Sequence, residues 1–225
     1  MRQKLTSVSM PRTLLPAKRA TTMARQRKKS EIRKQQILDA AIAVFAEKGF
    51  HSSRVSDIAR RAGVAYGLVY HYFDNKEEIL RTIFLERWTF ILQVIENLLN
   101  EDKRSAIDRL RSFLIFIIDV YKRNAALVDV IMLELLHSPE FMREEVVRGF
   151  QRAAGGIEEL MRQGQEAGEI RKKTNPTTFA VLYFGAIEVT FNAVALRVVD
   201  IDAMPSEDWA DSIMDQLSHG IAARD

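Results

Sequence analysis

The sequence contains no cysteine. That excludes a disulfide scaffold, thiolate-bound zinc, iron–sulfur clusters and a cysteine nucleophile. Proline is scarce, with five in 225 residues and none from Ala17 to Ser138. Nothing alternates at period two for long enough to make a strand, and there is no internal repeat. A signal peptide needs an uninterrupted apolar stretch, and the longest one in the first 29 residues is Leu14-Leu15. Export is not expected; a cytoplasmic location is. The most apolar later stretch, residues 179–199, contains Glu188, Thr190, Asn192 and Arg197. Charges within a span are costly, so this stretch reads as a buried or interface helix, with no membrane partner. No Gly-rich phosphate loop, nucleophile elbow or zinc signature is present, so no cofactor is expected.

What is present is an ordinary folded composition, 47% hydrophobic and 28% charged, at a length suited to one or two small domains. The net charge of +3 hides a segregation. Residues 1–80 hold 16 basic and 7 acidic side chains; residues 81–225 hold 17 and 23. A basic head on an acidic body implies an anionic partner for the head alone. The first 29 residues carry nine basic groups and no acid. They lack helical or strand periodicity, which leaves two readings open. Residues 1–29 form a basic flexible arm that orders on a polyanion, or Met23 is the true start and 1–22 are unselected.

Apolar residues recur at helical spacing through the rest of the chain, which predicts an all-α fold. Ile37, Ala41, Val44, Phe45 and Lys48 make one face of a helix over about 30–48, stopped by Gly49. Ser53 is expected to cap a short second helix that ends at Gly63. A third covers about 65–73. Asn75, with Glu78 three residues on, fits a capping box that starts a long helix to about residue 100. Further helices are expected over 105–121, 125–137, 139–167, 176–199 and 206–222. Ser138-Pro139, Asn175-Pro176 and Ser206-Glu207-Asp208 supply caps, first-turn prolines and first-turn acids.

Two short helices joined by a turn containing glycine, the second bearing exposed polar aromatics, form a helix-turn-helix pattern. A plain helical hairpin is the alternative, and the basic excess in residues 1–80 argues against it. Tyr66, Tyr70, His71 and Tyr72 would face outward, and Gly67 would let the backbone approach a groove. Hydroxyls and imidazole can meet phosphates or base edges. Ser53, Arg54 and Ser56 at the start of the preceding helix can hold a phosphate, and Lys76 lies at the next helix start.

The run Ile37-Leu38-Asp39-Ala40-Ala41, with Phe45-Ala46-Glu47-Lys48-Gly49-Phe50, Val55-Ser56-Asp57-Ile58-Ala59, Ala62-Gly63-Val64 and Tyr70-His71-Tyr72-Phe73-Asp74-Asn75-Lys76, resembles the DNA-binding domain of the TetR family of bacterial regulators. The resemblance covers residues 31–80. It implies a three-helix DNA-binding domain over 30–75 and a helical-bundle ligand-binding and dimerisation domain over 76–225. It also implies a homodimeric repressor, released from double-stranded operator DNA by a small hydrophobic ligand. The family's DNA-contacting positions fall on Ser53, Arg54, Ser56, Tyr66, Gly67, Tyr70, His71, Tyr72 and Lys76. Tyr66 stands where a small or amide side chain is usual, and Arg54 where a small hydroxyl residue is common; both bear on which operator is read.

In the body, Phe90, Phe113, Phe116, Tyr121, Met132, Tyr183 and Phe184 are the residue types that line a pocket between helices. Glu134 and Glu188 interrupt apolar helices and suit exposed or interface positions better than burial. The runs Leu133-Glu134-Leu135-Leu136-His137-Ser138, Gly164-Gln165-Glu166-Ala167-Gly168 and Tyr183-Phe184-Gly185-Ala186 look like the fatty-acid-metabolism (FadR-like) branch of the family, which implies an acyl-CoA ligand. The family's dimer interface implies pairing through the last two helices, where Ala180, Phe184, Ile187, Phe191 and Val194 repeat on one face. Two other readings stand beside this one. Glu134 and His137 have half the spacing of a di-iron bundle site, and Asp215 with His219 is a weaker pair, which together frame a helical-bundle metalloenzyme. A DNA-binding protein switched by a partner protein rather than a ligand is the second.

Overall fold

The computed structural model describes residues 17–130 and 144–219. Every regular element among them is helical: α1 (Ala17–Lys48), α2 (Val55–Ala62), α3 (Tyr66–Tyr72), α4 (Lys76–Leu99), α5 (Ala106–Arg123), α6 (Ala125–Val130), α7 (Glu144–Glu166), α8 (Pro176–Ala195) and α9 (Ser206–His219), with a 3-10 turn at Ile201–Ala203. The helix start expected at Ser138-Pro139 lies outside the described residues.

The first three helices close on one core. Ile37, Ala41, Val44 and Phe45 of α1 meet Ile58 and Ala59 of α2, Val69 of α3, and Phe73 just past its end. Gly63 ends α2 in the left-handed region at φ 64°. There the Val64 N–H reaches back to the Ala59 carbonyl at 3.1 Å. That conformation costs a residue with a β-carbon ~1–2 kcal/mol, so glycine sets the turn between α2 and α3. Asn75 caps α4, its side-chain oxygen accepting from the Glu78 N–H at 2.7 Å. Glu78 in turn accepts from the Asp74 N–H at 2.6 Å, one residue before the expected partner.

α4 does not begin a separate unit. Its first half, Ile79, Leu80, Ile83 and Phe84, completes the head core together with Leu127 of α6 and Val146 of α7. Its second half supplies Ile95 and Leu98 to the body core with α5, α7, α8 and α9. One helix therefore runs through both cores, and Trp88 at its middle packs against both.

Two helix limits differ from the sequence reading. α1 begins at Ala17, so residues 17–29 extend the helix instead of forming an arm. Apart from Thr21 and Thr22 they are good helix formers, Ala, Arg, Lys, Gln and Met, with no Gly or Pro, and this propensity sustains a helix without an apolar face. α8 ends at Ala195 rather than near 199. Arg197 turns left-handed at φ 58°, and the Val198 N–H closes on the Ala193 carbonyl at 2.8 Å.

α8 is apolar on every side, and by length and composition it could cross a membrane. In the fold one side is buried in the bundle, through Phe179, Ala180, Tyr183, Ile187 and Phe191. The opposite side leaves Val181, Leu182 and Val189 more than half exposed, and Leu196 and Val198 continue that surface beyond its end. The dimer-face residues expected from sequence are thus turned the wrong way. Ala180, Ile187 and Phe191 pack inside their own chain, and Val194 lies partly buried against the same core. A helix apolar all round gives its periodicity nothing to orient by.

Candidate functional site

α3 presents Tyr66 and Tyr70, 54% and 44% exposed, as one unit. Their rings meet edge to face at 5.1 Å, and their hydroxyls lie 3.1 Å apart. The spacing of four residues puts them on one helix face. Gly67 and His71 are exposed beside them, and Arg54 and Ser56 are exposed at the start of α2. The α2 start is fixed by Asp57, which accepts from the Arg54 N–H at 3.3 Å. The Lys48 ammonium, 3.0 Å from this carboxylate, holds it below the usual carboxylate range, with Arg60 adding to the effect.

Three expected members of this face do other work. Ser53 neither caps α2, where Arg54 holds that position, nor faces outward. It is 3% exposed, and its hydroxyl donates to the Gly49 carbonyl at 2.6 Å. Tyr72 is half-buried against the head core, and its hydroxyl lies 3.1 Å from the Ser30 hydroxyl of α1. The Lys76 ammonium donates to the carbonyls of Phe50, His51 and Ser53 at 2.9, 3.1 and 3.4 Å. It also lies 4.5 Å from the Phe50 ring centroid. Lys76 therefore ties the α1–α2 loop to the start of α4 and positions the face from behind.

Losing this tie leaves three carbonyls short of a donor. Lys76→Met is expected to lower stability by ~1.5–3 kcal/mol, the range for hydrogen bonds to a charged group. Thermal unfolding checks this, and an unchanged melting temperature would return Lys76 to the exposed face.

The body holds an apolar cavity of about 260 Å³ between α4, α5, α6, α7 and α8. Of the lining residues expected from sequence, Phe90, Phe113, Phe116 and Phe184 are there. Tyr121 and Tyr183 are not: both are core residues, 1% and 0% exposed. The Tyr183 hydroxyl donates to the Leu110 carbonyl at 2.6 Å and the Tyr121 hydroxyl donates to Asp129. Burial pushes the Tyr183 phenol well up, and burial with the Asp129 carboxylate does the same for Tyr121. Both therefore serve as neutral donors across the physiological range. Met132 and the Glu134–His137 pair lie outside the described residues. Among the described residues no three His, Asp or Glu side chains converge as metal ligands.

Sequence reasoning missed the cavity's ends. Arg87, Asn124 and Glu188 are polar, exposed members of the lining and mark its solvent side with Phe90. At the other end, Phe84, Leu127, Trp88 and Phe150 belong to or pack on the head core. Glu188, which interrupts an apolar helix, was the available signal; Arg87 follows Glu86 and carried none.

Comparison with known proteins agrees with this architecture. The model for bacterial regulatory proteins of the tetR family matches residues 37–83. The model for the tetracyclin repressor-like C-terminal domain matches residues 103–192. The fatty acid metabolism regulator protein of Bacillus subtilis is 31% identical over 189 residues, 83% of this chain and 94% of that protein. The crystal structure of the transcriptional regulator FadR from Bacillus subtilis in complex with stearoyl-CoA superposes with a TM-score of 0.73 at 28% identity, covering 84% of this chain and 99% of that one. FadR from Bacillus halodurans gives the same TM-score at 25% identity, over 85% and 97% of the two chains. The chain belongs to the TetR family of bacterial transcriptional regulators.

Proposed function

We propose that this regulator is a homodimeric repressor that leaves its operator when a long-chain acyl-CoA enters the bundle. The observation that carries the reading is the cavity: an aromatic and aliphatic interior suited to an acyl tail, with Arg87 at its solvent side as a cation for the phosphates of the headgroup. The likeness to a FadR crystallised with stearoyl-CoA supports the same ligand class. The cavity reaches Phe84 and Leu127 of the head core, so an acyl chain that fits one setting of α4 better than another shifts the population of head positions. The shift is bounded by that difference in affinity.

The exposed strip Val181, Leu182 and Val189 supports the homodimer, because contiguous exposed apolar surface is characteristic of protein interfaces. Pairing through α8 and α9 would set two copies of α3 about one DNA turn, ~34–36 Å, apart on a pseudo-palindrome. Arg54, Ser56, Tyr66, Gly67, Tyr70 and His71 are the face assigned to the operator.

The test is to select bound duplexes from random DNA and titrate the best complex with acyl-CoAs of increasing length. Long-chain species are expected to release the operator. At a hundredfold excess over Kd they would stabilise the fold by ~2.7 kcal/mol through mass action. A protein that holds its operator against every acyl-CoA, and whose melting temperature none of them moves, would overturn the ligand assignment.

A further inference from the structure

Five of the sixteen basic side chains that mark the head in the sequence are held by fixed partners. Lys34 pairs with Glu86 at 3.3 Å. Lys48 and Arg60 pair with Asp57 at 3.0 and 2.5 Å, and Arg61 pairs with Glu47 at 2.5 Å. Lys76 is held by three carbonyls. What remains is concentrated on the first half of α1. Arg25, Arg27, Lys28 and Lys29 are exposed, with no ion-pair partner among the described residues. No acid occurs before Glu31. Arg25, Lys29 and Arg33 recur every four residues along one flank of the helix.

This half of α1 is also placed. The Ser30 hydroxyl meets the Tyr72 hydroxyl at 3.1 Å, at the C-terminal end of α3. Residues 17–29 continue the same helix past that end, a projection of ~20 Å at 1.5 Å per residue. A duplex read by α3 carries one phosphate charge per ~1.7 Å of its axis. A helix with unpaired cations, emerging beside the end of α3 and longer than half a turn of DNA, has those phosphates within its reach.

We propose that the N-terminal half of α1, through Arg25, Arg27, Lys28 and Lys29, is a second DNA-contacting element that grips backbone phosphates flanking the bases read by α3. The proposal rests on the operator-binding reading above. Its chemistry is sequence-independent: guanidinium and ammonium groups displace condensed counterions, and base identity stays with Tyr66 and Tyr70. The Ser30–Tyr72 contact sets where the extension crosses the duplex, which makes its reach a property of the fold.

The experiment compares the full-length protein with an Arg25→Ala, Arg27→Ala, Lys28→Ala, Lys29→Ala variant. Alanine keeps helix propensity while removing charge. Binding is measured across a salt series, on the selected operator trimmed to its half-sites and on the same operator with longer flanks. Each lost phosphate contact should flatten the slope of log K against log salt by about 0.9, so a change of two or more is expected. On the flanked duplex the variant should bind at least tenfold more weakly, and on the trimmed duplex the two proteins should converge. The ranking of operator sequences should stay unchanged. An unchanged slope with unchanged flank dependence overturns the proposal while leaving the operator reading intact. Wild-type protein that selects no operator at all overturns the reading beneath it. A variant that keeps its DNA slope but loses binding to anionic lipid vesicles shows a membrane contact instead, and the proposal fails.

Discussion

A Tyr70→Ala protein is expected to fold normally, to bind DNA weakly, and to lose its operator. Tyr70 is exposed, while Val69 and Phe73 on either side are buried and hold α3 to the head core. Removing a surface ring should therefore change stability by no more than ~0.5 kcal/mol. What disappears is a pre-set pair. Tyr66 and Tyr70 hold each other edge to face and share a hydroxyl contact at 3.1 Å, so little rotamer freedom is left to lose on reaching a groove. The Tyr66 hydroxyl bonded to it holds the Tyr70 phenol above its ordinary value. It stays neutral at physiological pH, able both to donate and to accept. A good base contact discriminates by ~1–3 kcal/mol. Two half-sites double that, so the operator preference should fall by roughly 30- to 20,000-fold. The phosphate contribution, and with it the salt slope, should persist. Competition between operator and random duplex measures the preference, and thermal unfolding confirms the fold. Wild-type preference in this variant would remove α3 from base reading. Tyr66→Phe separates the partners, because it keeps the ring contact and deletes the shared hydroxyl.

The parts legible in the sequence were those fixed by local chemistry. Gly63 demands a left-handed turn, Asn75 and Asn175 cap helices, and the spacing of Tyr66 and Tyr70 sets a face; these need only a few neighbouring residues. The parts that were not legible depend on who sits opposite. Ser53 and Lys76 are polar groups at plausible DNA-facing positions, yet the carbonyls of the loop at 49–53 capture both. Tyr121 and Tyr183 have the composition of pocket lining but find buried acceptors, which commits them to the core. Ala180, Ile187 and Phe191 belong to a helix whose apolar residues surround it, so the packing of α7 and α5 against α8 decides which side is inward. The extension of α1 escaped because its helix is sustained by propensity alone, with no apolar stripe to read.

The same dependence on opposite partners makes Gly149 a sensitive position in the body. A β-carbon there would lie 2.3 Å from Trp88 Nε1 and 2.6 Å from its Cδ1. The indole cannot yield cheaply. It stacks on Phe84 with ring centroids 5.4 Å apart and leans on Phe150 at 4.4 Å. Its N–H is buried with no hydrogen-bond partner among the described residues, so packing holds the ring where it is. Gly149→Ala gains up to ~1 kcal/mol of helix propensity. The clash costs ~1–3 kcal/mol or more, as overpacked cores do, and the net effect should be a lower melting temperature. Relief has two routes: α7 moves away from α4, or the indole swings into the cavity that it lines. Either route should weaken ligand-induced release of the operator by tenfold or more and change the Trp88 fluorescence. Gly155, on the same helix, is the control, since nothing among the described residues lies within 4 Å of its β-carbon position. Gly155→Ala should therefore leave ligand release unchanged and raise stability by up to ~1 kcal/mol. If the two alanines behave alike, the Trp88–Gly149 contact does not connect the cavity to α4. If only Gly149→Ala blunts release while operator affinity without ligand is retained, the signal passes through Trp88 at the point where the two cores meet.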